Sequence, residues 1–109
     1  FDGVIYNPDT GTVDKAVVEV MKKLQANKQK IVIWSCRNSI SAWDSQLHQK
    51  AAWNQMLKII KDHDIPYDEI DDGTKGKIFA NIYIDDRSLR FKDVLTLEKD
   101  LQGKWFKVL

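Results

Sequence analysis

The residues of this chain best suited to chemistry are two adjacent carboxylates, Asp85-Asp86, which end the apolar run Ile82-Tyr83-Ile84 and are followed at once by Arg87. Two like charges side by side repel each other and cost solvation energy, so a positive group is expected beside them, either a basic side chain or a hard cation such as Mg2+. Acids at the C-terminal end of a buried strand also stand where open α/β sheets bind ligands. The pair therefore reads first as a metal site. Three further positions carry groups that could join it: Asp2 before Gly3, Ser35 with Arg37 after the run Ile31-Val32-Ile33-Trp34, and Lys77 ahead of the third apolar run. Taken singly, each has an ordinary structural reading. Asp2-Gly3 would be a turn, Ser35 a helix N-cap, Lys77 a solvated lysine, and Arg37 and Arg87 partners of nearby carboxylates that could also meet a substrate phosphate.

The elements that must position these groups alternate between helical and extended patterns. Val17, Val20, Met21 and Leu24 recur at helical spacing and predict a helix from about Val13 to Gln25, capped by Thr12. Ile31 to Trp34 is a continuous apolar run of the kind found in strands covered on both faces. A second helix is expected from about Ser41 to Lys61, with Trp53, Met56, Leu57 and Ile60 as its stripe and Ser41 with Asp44 as a capping box. After a polar loop at 71–76, Ile78 to Ile84 forms the third apolar run, and a short helix near Val94 to Leu101 and a last strand at Trp105 to Leu109 complete the pattern. Helices alternating with buried strands predict one α/β domain over residues 1–109, a three-layer Rossmann-like parallel sheet with helices on both faces. In such a sheet Asp2, Ser35 and Asp85-Asp86 share the C-terminal edge, while Lys77, at the start of its strand, begins at the opposite one.

In order and context, Phe1-Asp2-Gly3-Val4, then Ile31 to Arg37, then Lys77, then Ile82 to Arg87 resemble the four motifs of the haloacid dehalogenase-like (HAD) phosphohydrolase superfamily. The likeness covers nearly the whole chain. It implies a Mg2+-dependent phosphatase working through an aspartyl-phosphate. Asp2 would be the acid/base that also lends a backbone carbonyl to the metal, Ser35 would hydrogen-bond the transferring phosphoryl group, Lys77 would neutralise it, and Asp85 with Asp86 would hold Mg2+. The family's nucleophile is an aspartate two residues before Asp2, a position ahead of Phe1, so the resemblance implies a chain truncated upstream of its nucleophile and first core strand. The short spacing between motifs leaves little room for a cap, implying an open site for a bulky phosphorylated substrate; a small one would require closure by an oligomeric partner. Two other readings stand beside it: a receiver-like phosphoacceptor domain, disfavoured because its acid pair belongs at the first strand, and a non-catalytic binding module of the same descent.

Composition narrows the field. With 17 basic and 16 acidic residues interspersed, the net charge of +1 gives no electrostatic footprint for nucleic acid or an anionic membrane. No apolar stretch approaches the length of a membrane span. Cys36, the one cysteine, cannot form an internal disulfide and points to the cytoplasm. It reads as a buried structural thiol, His48 and His63 as surface residues, and the four tryptophans as packing residues.

Overall fold

A backbone becomes a helix where its ends are capped and one stripe can be buried, and two segments meet both conditions. The computed structural model describes residues 1–102, the side chains of residues 98 and 102 excepted. Helix α1 spans Lys15–Ala26 and α2 spans Gln46–Asp62. The Asp14 carboxylate caps α1 by accepting from the backbone N–H groups of Ala16 (3.0 Å) and Val17 (3.2 Å). Ser45 caps α2 by accepting from the His48 N–H at 3.1 Å. The caps expected at Thr12 and at Ser41 with Asp44 are thus displaced; Thr12 lies in a strand and residues 40–42 form a 3-10 turn. A third helix, α3, covers Val94–Gln102.

The strands are short. β1 (Tyr6–Asn7) pairs antiparallel with β2 (Thr12–Val13), and β3 (Val32–Ile33) pairs parallel with β4 (Glu69–Ile70) in the register Val32 to Glu69 and Ile33 to Ile70. The turn between β1 and β2 is built by Asn7, whose side chain accepts from the Asp9 N–H at 2.9 Å, and by Gly11, whose φ of +70° is open to glycine at little cost. β3, α2 and β4 make one β-α-β crossover, the connection a parallel pair requires.

The three-layer Rossmann-like parallel sheet is not what forms: among the described residues there are three helices and two separate two-stranded ladders. The decisive departure is at residues 78–84. This run was expected to be a buried strand, yet it has no ladder partner among the described residues and stands in solvent, with Phe79 89%, Ile82 77% and Ile84 71% exposed. Two of its backbone groups are satisfied locally, since the Tyr83 hydroxyl accepts from the Ala80 N–H at 3.1 Å and donates to the Ile78 carbonyl. Apolar composition signals a preference for burial, but a strand also needs a neighbouring strand, which composition does not encode. The strand expected at Trp105 to Leu109 lies outside the described residues.

A single cluster forms the core: Phe1, Ile5 and Tyr6 from the N-terminal segment, Val18 and Met21 from α1, Ile33 from β3, Met56 and Ile60 from α2, and Ile65 beyond it. The stripes foreseen on both helices supply Met21, Met56 and Ile60, whereas Val20 faces solvent and Val18 takes its place inside. Met56 is at the centre, with none of its surface exposed. No helix among the described residues is long and apolar enough to cross a membrane.

Two outcomes follow from this packing. Met56→Ala removes a fully buried side chain and should lower stability by about 2–5 kcal/mol, read as a shift in the urea midpoint at unchanged slope. On β4, hydrogen bonds from Lys75 (2.6 Å) and the neighbouring Lys30 (3.2 Å) hold the Glu69 carboxyl below the ordinary glutamate range. A depressed folded-state value means that its contribution is present above the unfolded value of about 4.3 and disappears as pH falls through the folded one. Glu69→Gln should therefore flatten part of the acid limb of a thermal stability profile, an effect that salt reduces in the parent chain.

Candidate functional site

The candidate site is organised by one buried cation. Arg37 follows Ser35, whose hydroxyl accepts from the Arg37 backbone N–H at 3.1 Å and so starts the 3-10 turn Cys36–Asn38 that leaves β3. This turn carries the Arg37 side chain inward, where only 6% of it is exposed. Its Nε donates to Asp2 Oδ2 and its Nη2 to Asp2 Oδ1, both at 2.8 Å, a bidentate fork. Its Nη1 donates to the Ala52 carbonyl at 2.8 Å and to Gln55 Oε1 at 2.9 Å, both on α2. The guanidinium also lies 5.3 Å from the Phe1 ring centre and 5.7 Å from that of Tyr6, within cation–π range. From the other direction, Gln49 of α2 donates to the Arg37 carbonyl at 2.6 Å.

The acid pair reaches the same neighbourhood from the far end of the described chain. Gly3 has φ +83°, and a Cβ built on it would fall 2.1 Å from Asp86 Oδ2, so the Asp86 carboxylate rests directly on the Gly3 backbone. Asp85 and Asp86 are otherwise exposed, and Asp85 Oδ1 accepts from the Arg87 backbone N–H at 2.9 Å. The arrangement thus brings Asp2, Ser35, Arg37, Asp85 and Asp86 around the Phe1-Asp2-Gly3 segment.

Lys77 takes a different position. Its Nζ lies 5.4 Å from the centre of the Tyr83 ring, which in turn tilts against Trp34 with centroids 6.4 Å apart. Trp34 belongs to the site's margin, since its carbonyl accepts from the Phe1 nitrogen at 3.2 Å. Lys77 is therefore connected to the site through two aromatic rings, and among the described residues its Nζ forms no ion pair with an acid. Cys36, expected to be buried, is exposed, because the turn that buries Arg37 points its neighbour outward. His48 and His63 are surface residues as expected.

Two polar pairs went unanticipated. Asp71, just beyond β4, is buried; its Oδ2 lies 3.3 Å from Asn38 Nδ2, which also donates to the Asp71 carbonyl at 3.1 Å, while Oδ1 has no hydrogen-bond partner among the described residues. Gln49 and Gln55 reach Arg37 from α2. The sequence signal for the glutamines was weak but present: Gln49 and Gln55 fall on the helix face that also carries Ala52 and Met56. Asp71 had no such signal, because its burial depends on a strand of two residues.

Among the described residues, no group of three or more His, Cys, Asp or Glu side chains is placed to hold a metal ion. Searches against protein-family models, curated proteins and solved structures find no significant match to this chain. Gly3→Ala should cost about 1 kcal/mol from the left-handed backbone alone, with the exposed Asp86 side chain displaced rather than the fold broken. A urea titration checks the first part, and a changed chemical shift of the Asp86 side chain the second.

Proposed function

We propose that this chain carries the phosphate-processing site of a Mg2+-dependent phosphohydrolase. The observation that supports the reading most directly is the seating of Asp86 on Gly3, which joins the Asp2-Gly3 segment to the acid pair, the two segments the HAD resemblance assigns to one site. The donor set suits Mg2+, which commonly takes one or two carboxylates and completes its shell with water and substrate phosphate oxygens. Asp85 and Asp86 would hold it, with the Asp2 backbone carbonyl beside them; the Asp2 carboxylate is engaged by Arg37. When bound, the metal supplies charge neutralisation at the phosphoryl oxygens.

The chain's own residues divide the remaining work. Asp2, with 30% of its side chain exposed, keeps a solvent-facing side on which a leaving alkoxide or an attacking water can meet its carboxyl group. Ser35 stands at the mouth of the same turn, where its hydroxyl can donate to a phosphoryl oxygen while accepting from Arg37 N–H. Lys77 sits on a mobile-length side chain over Tyr83, and an incoming phosphate dianion offers it a stronger partner than an aromatic face. The nucleophile in this reading is an aspartate two residues ahead of Asp2, on the parent protein. The exposed setting of Asp85 and Asp86 suits a phosphoester on a large molecule rather than an enclosed metabolite.

The test is Mg2+-dependent release of phosphate from p-nitrophenyl phosphate by the parent protein. Asp85→Asn should raise the Mg2+ concentration needed for half-maximal rate, and Asp2→Asn should reduce turnover by about 10²–10⁴-fold. Mg2+-independent rates, or full turnover in Asp2→Asn, would overturn the assignment and favour a binding module.

A further inference from the structure

We propose that Arg37 is a positioning residue that fixes the Asp2 carboxylate and is closed to phosphate, and that helix α2 sets its orientation through Gln55. This rests on the phosphohydrolase reading for its catalytic consequence, though not for its geometry. An arginine following a strand end in a phosphate site would ordinarily be taken as an anion ligand, since its fork matches phosphate as well as carboxylate. Here the donors are already committed. A guanidinium has five N–H groups. Nε–H and one Nη2–H go to Asp2, and the two Nη1–H groups go to Ala52 O and Gln55 Oε1, which leaves one. The side chain is also 94% withdrawn from solvent and flanked by the Phe1 and Tyr6 rings, so a phosphate could reach it only by displacing Asp2.

What remains to Arg37 is control of Asp2. A bidentate pair fixes both oxygens of the carboxylate in one plane, so the lone pairs not used by Arg37 point in set directions toward the exposed side. The orientation of the fork is fixed in turn by α2: Ala52 offers a backbone carbonyl, which any residue there would supply, whereas Gln55 offers a side-chain oxygen that sequence can alter. Gln55 thus acts on Asp2 at one remove, without touching substrate.

The test uses the parent protein, in which the proposed nucleophile lies, and two readouts. Gln55→Leu keeps Arg37 and Asp2 in place, and Arg37→Lys keeps the charge while removing the fork; circular dichroism establishes that each is folded. In the first readout, the 1H–15N resonance of Arg37 Nε–H should exchange slowly with water, exchange at least about tenfold faster in Asp2→Asn, and stay unmoved when inorganic phosphate is added. A phosphate-dependent shift, or an unprotected Nε–H in the parent chain, overturns the proposal. In the second, with p-nitrophenyl phosphate and Mg2+, Gln55→Leu should lower kcat about 3- to 10-fold, one hydrogen bond's worth, with KM and the inhibition constant of inorganic phosphate unchanged. Arg37→Lys should lower kcat further with the same constancy. A rise in KM and in the phosphate inhibition constant with kcat retained would make Arg37 a phosphate ligand, and unchanged kcat in both folded variants would make the pair purely architectural. If the parent protein turns nothing over, the phosphohydrolase reading falls, and the resonance measurement alone decides whether the clamp exists as described.

Discussion

A guanidinium removed from water must recover its lost hydration from fixed partners, and the way Arg37 does so determines how the chain is put together. The desolvation of such a charge costs several kcal/mol, which a single partner does not offset. Arg37 draws on three: the Asp2 carboxylate, the Ala52 carbonyl and the Gln55 amide. Those partners come from the N-terminal segment and from α2, and Arg37 itself lies on the turn leaving β3. One side chain therefore ties together three stretches of backbone that share little regular hydrogen bonding. The aromatic rings of Phe1 and Tyr6, stacked with centroids 5.4 Å apart, cover the remaining face and link the cation to the apolar core.

The candidate site inherits its layout from this arrangement. Asp2 is held from its inner side and open on its outer side, Ser35 starts the turn that delivers Arg37, and Gly3 presents bare backbone on which Asp86 can rest. The polarity of the site is accordingly layered, with the cation inside and the carboxylates outside. That order concentrates negative charge at the surface, which favours a divalent cation over an anion as the first species to bind.

How much of this was legible in the sequence varied with the range of the interactions involved. The helices were read within a few residues, since Val17, Met21, Met56 and Ile60 repeat at a local period; their caps were misplaced because Asp14 and Ser45 compete with other good capping residues close by. The residues Ile31 to Trp34 do contain a strand, shortened to Val32–Ile33. The layered parallel sheet failed on nonlocal grounds. The run from Ile78 to Ile84 carries every local mark of a strand, but pairing depends on a second segment at the right distance and register. The site residues were named from motifs; Asp86 lies against Gly3 and Arg37 against Asp2, whereas Lys77 stands apart over Tyr83, and what the motifs could not disclose was that Arg37 turns inward and that α2 supplies its partners. Asp71 was read as loop for the same reason, as its burial depends on the pairing of β3 with β4 and on Asn38 from the turn after β3.

The uncovered run at 78–84 bears on how the molecule behaves in company. Ile78-Phe79-Ala80-Asn81-Ile82-Tyr83-Ile84 is seven residues without charge or proline, rich in β-branched and aromatic side chains, which is the composition of segments that stack into cross-β fibrils. Held in solvent by little more than the contacts of Tyr83, it is available for pairing with its own kind. Lys77 on one side and Asp85-Asp86-Arg87 on the other then serve a second purpose as gatekeepers, because stacking copies in register would bring those like charges into columns about 4.8 Å apart. If the acid pair takes a divalent ion as proposed, that ion would remove part of the repulsion, and the same metal would then weaken the chain's protection against self-assembly.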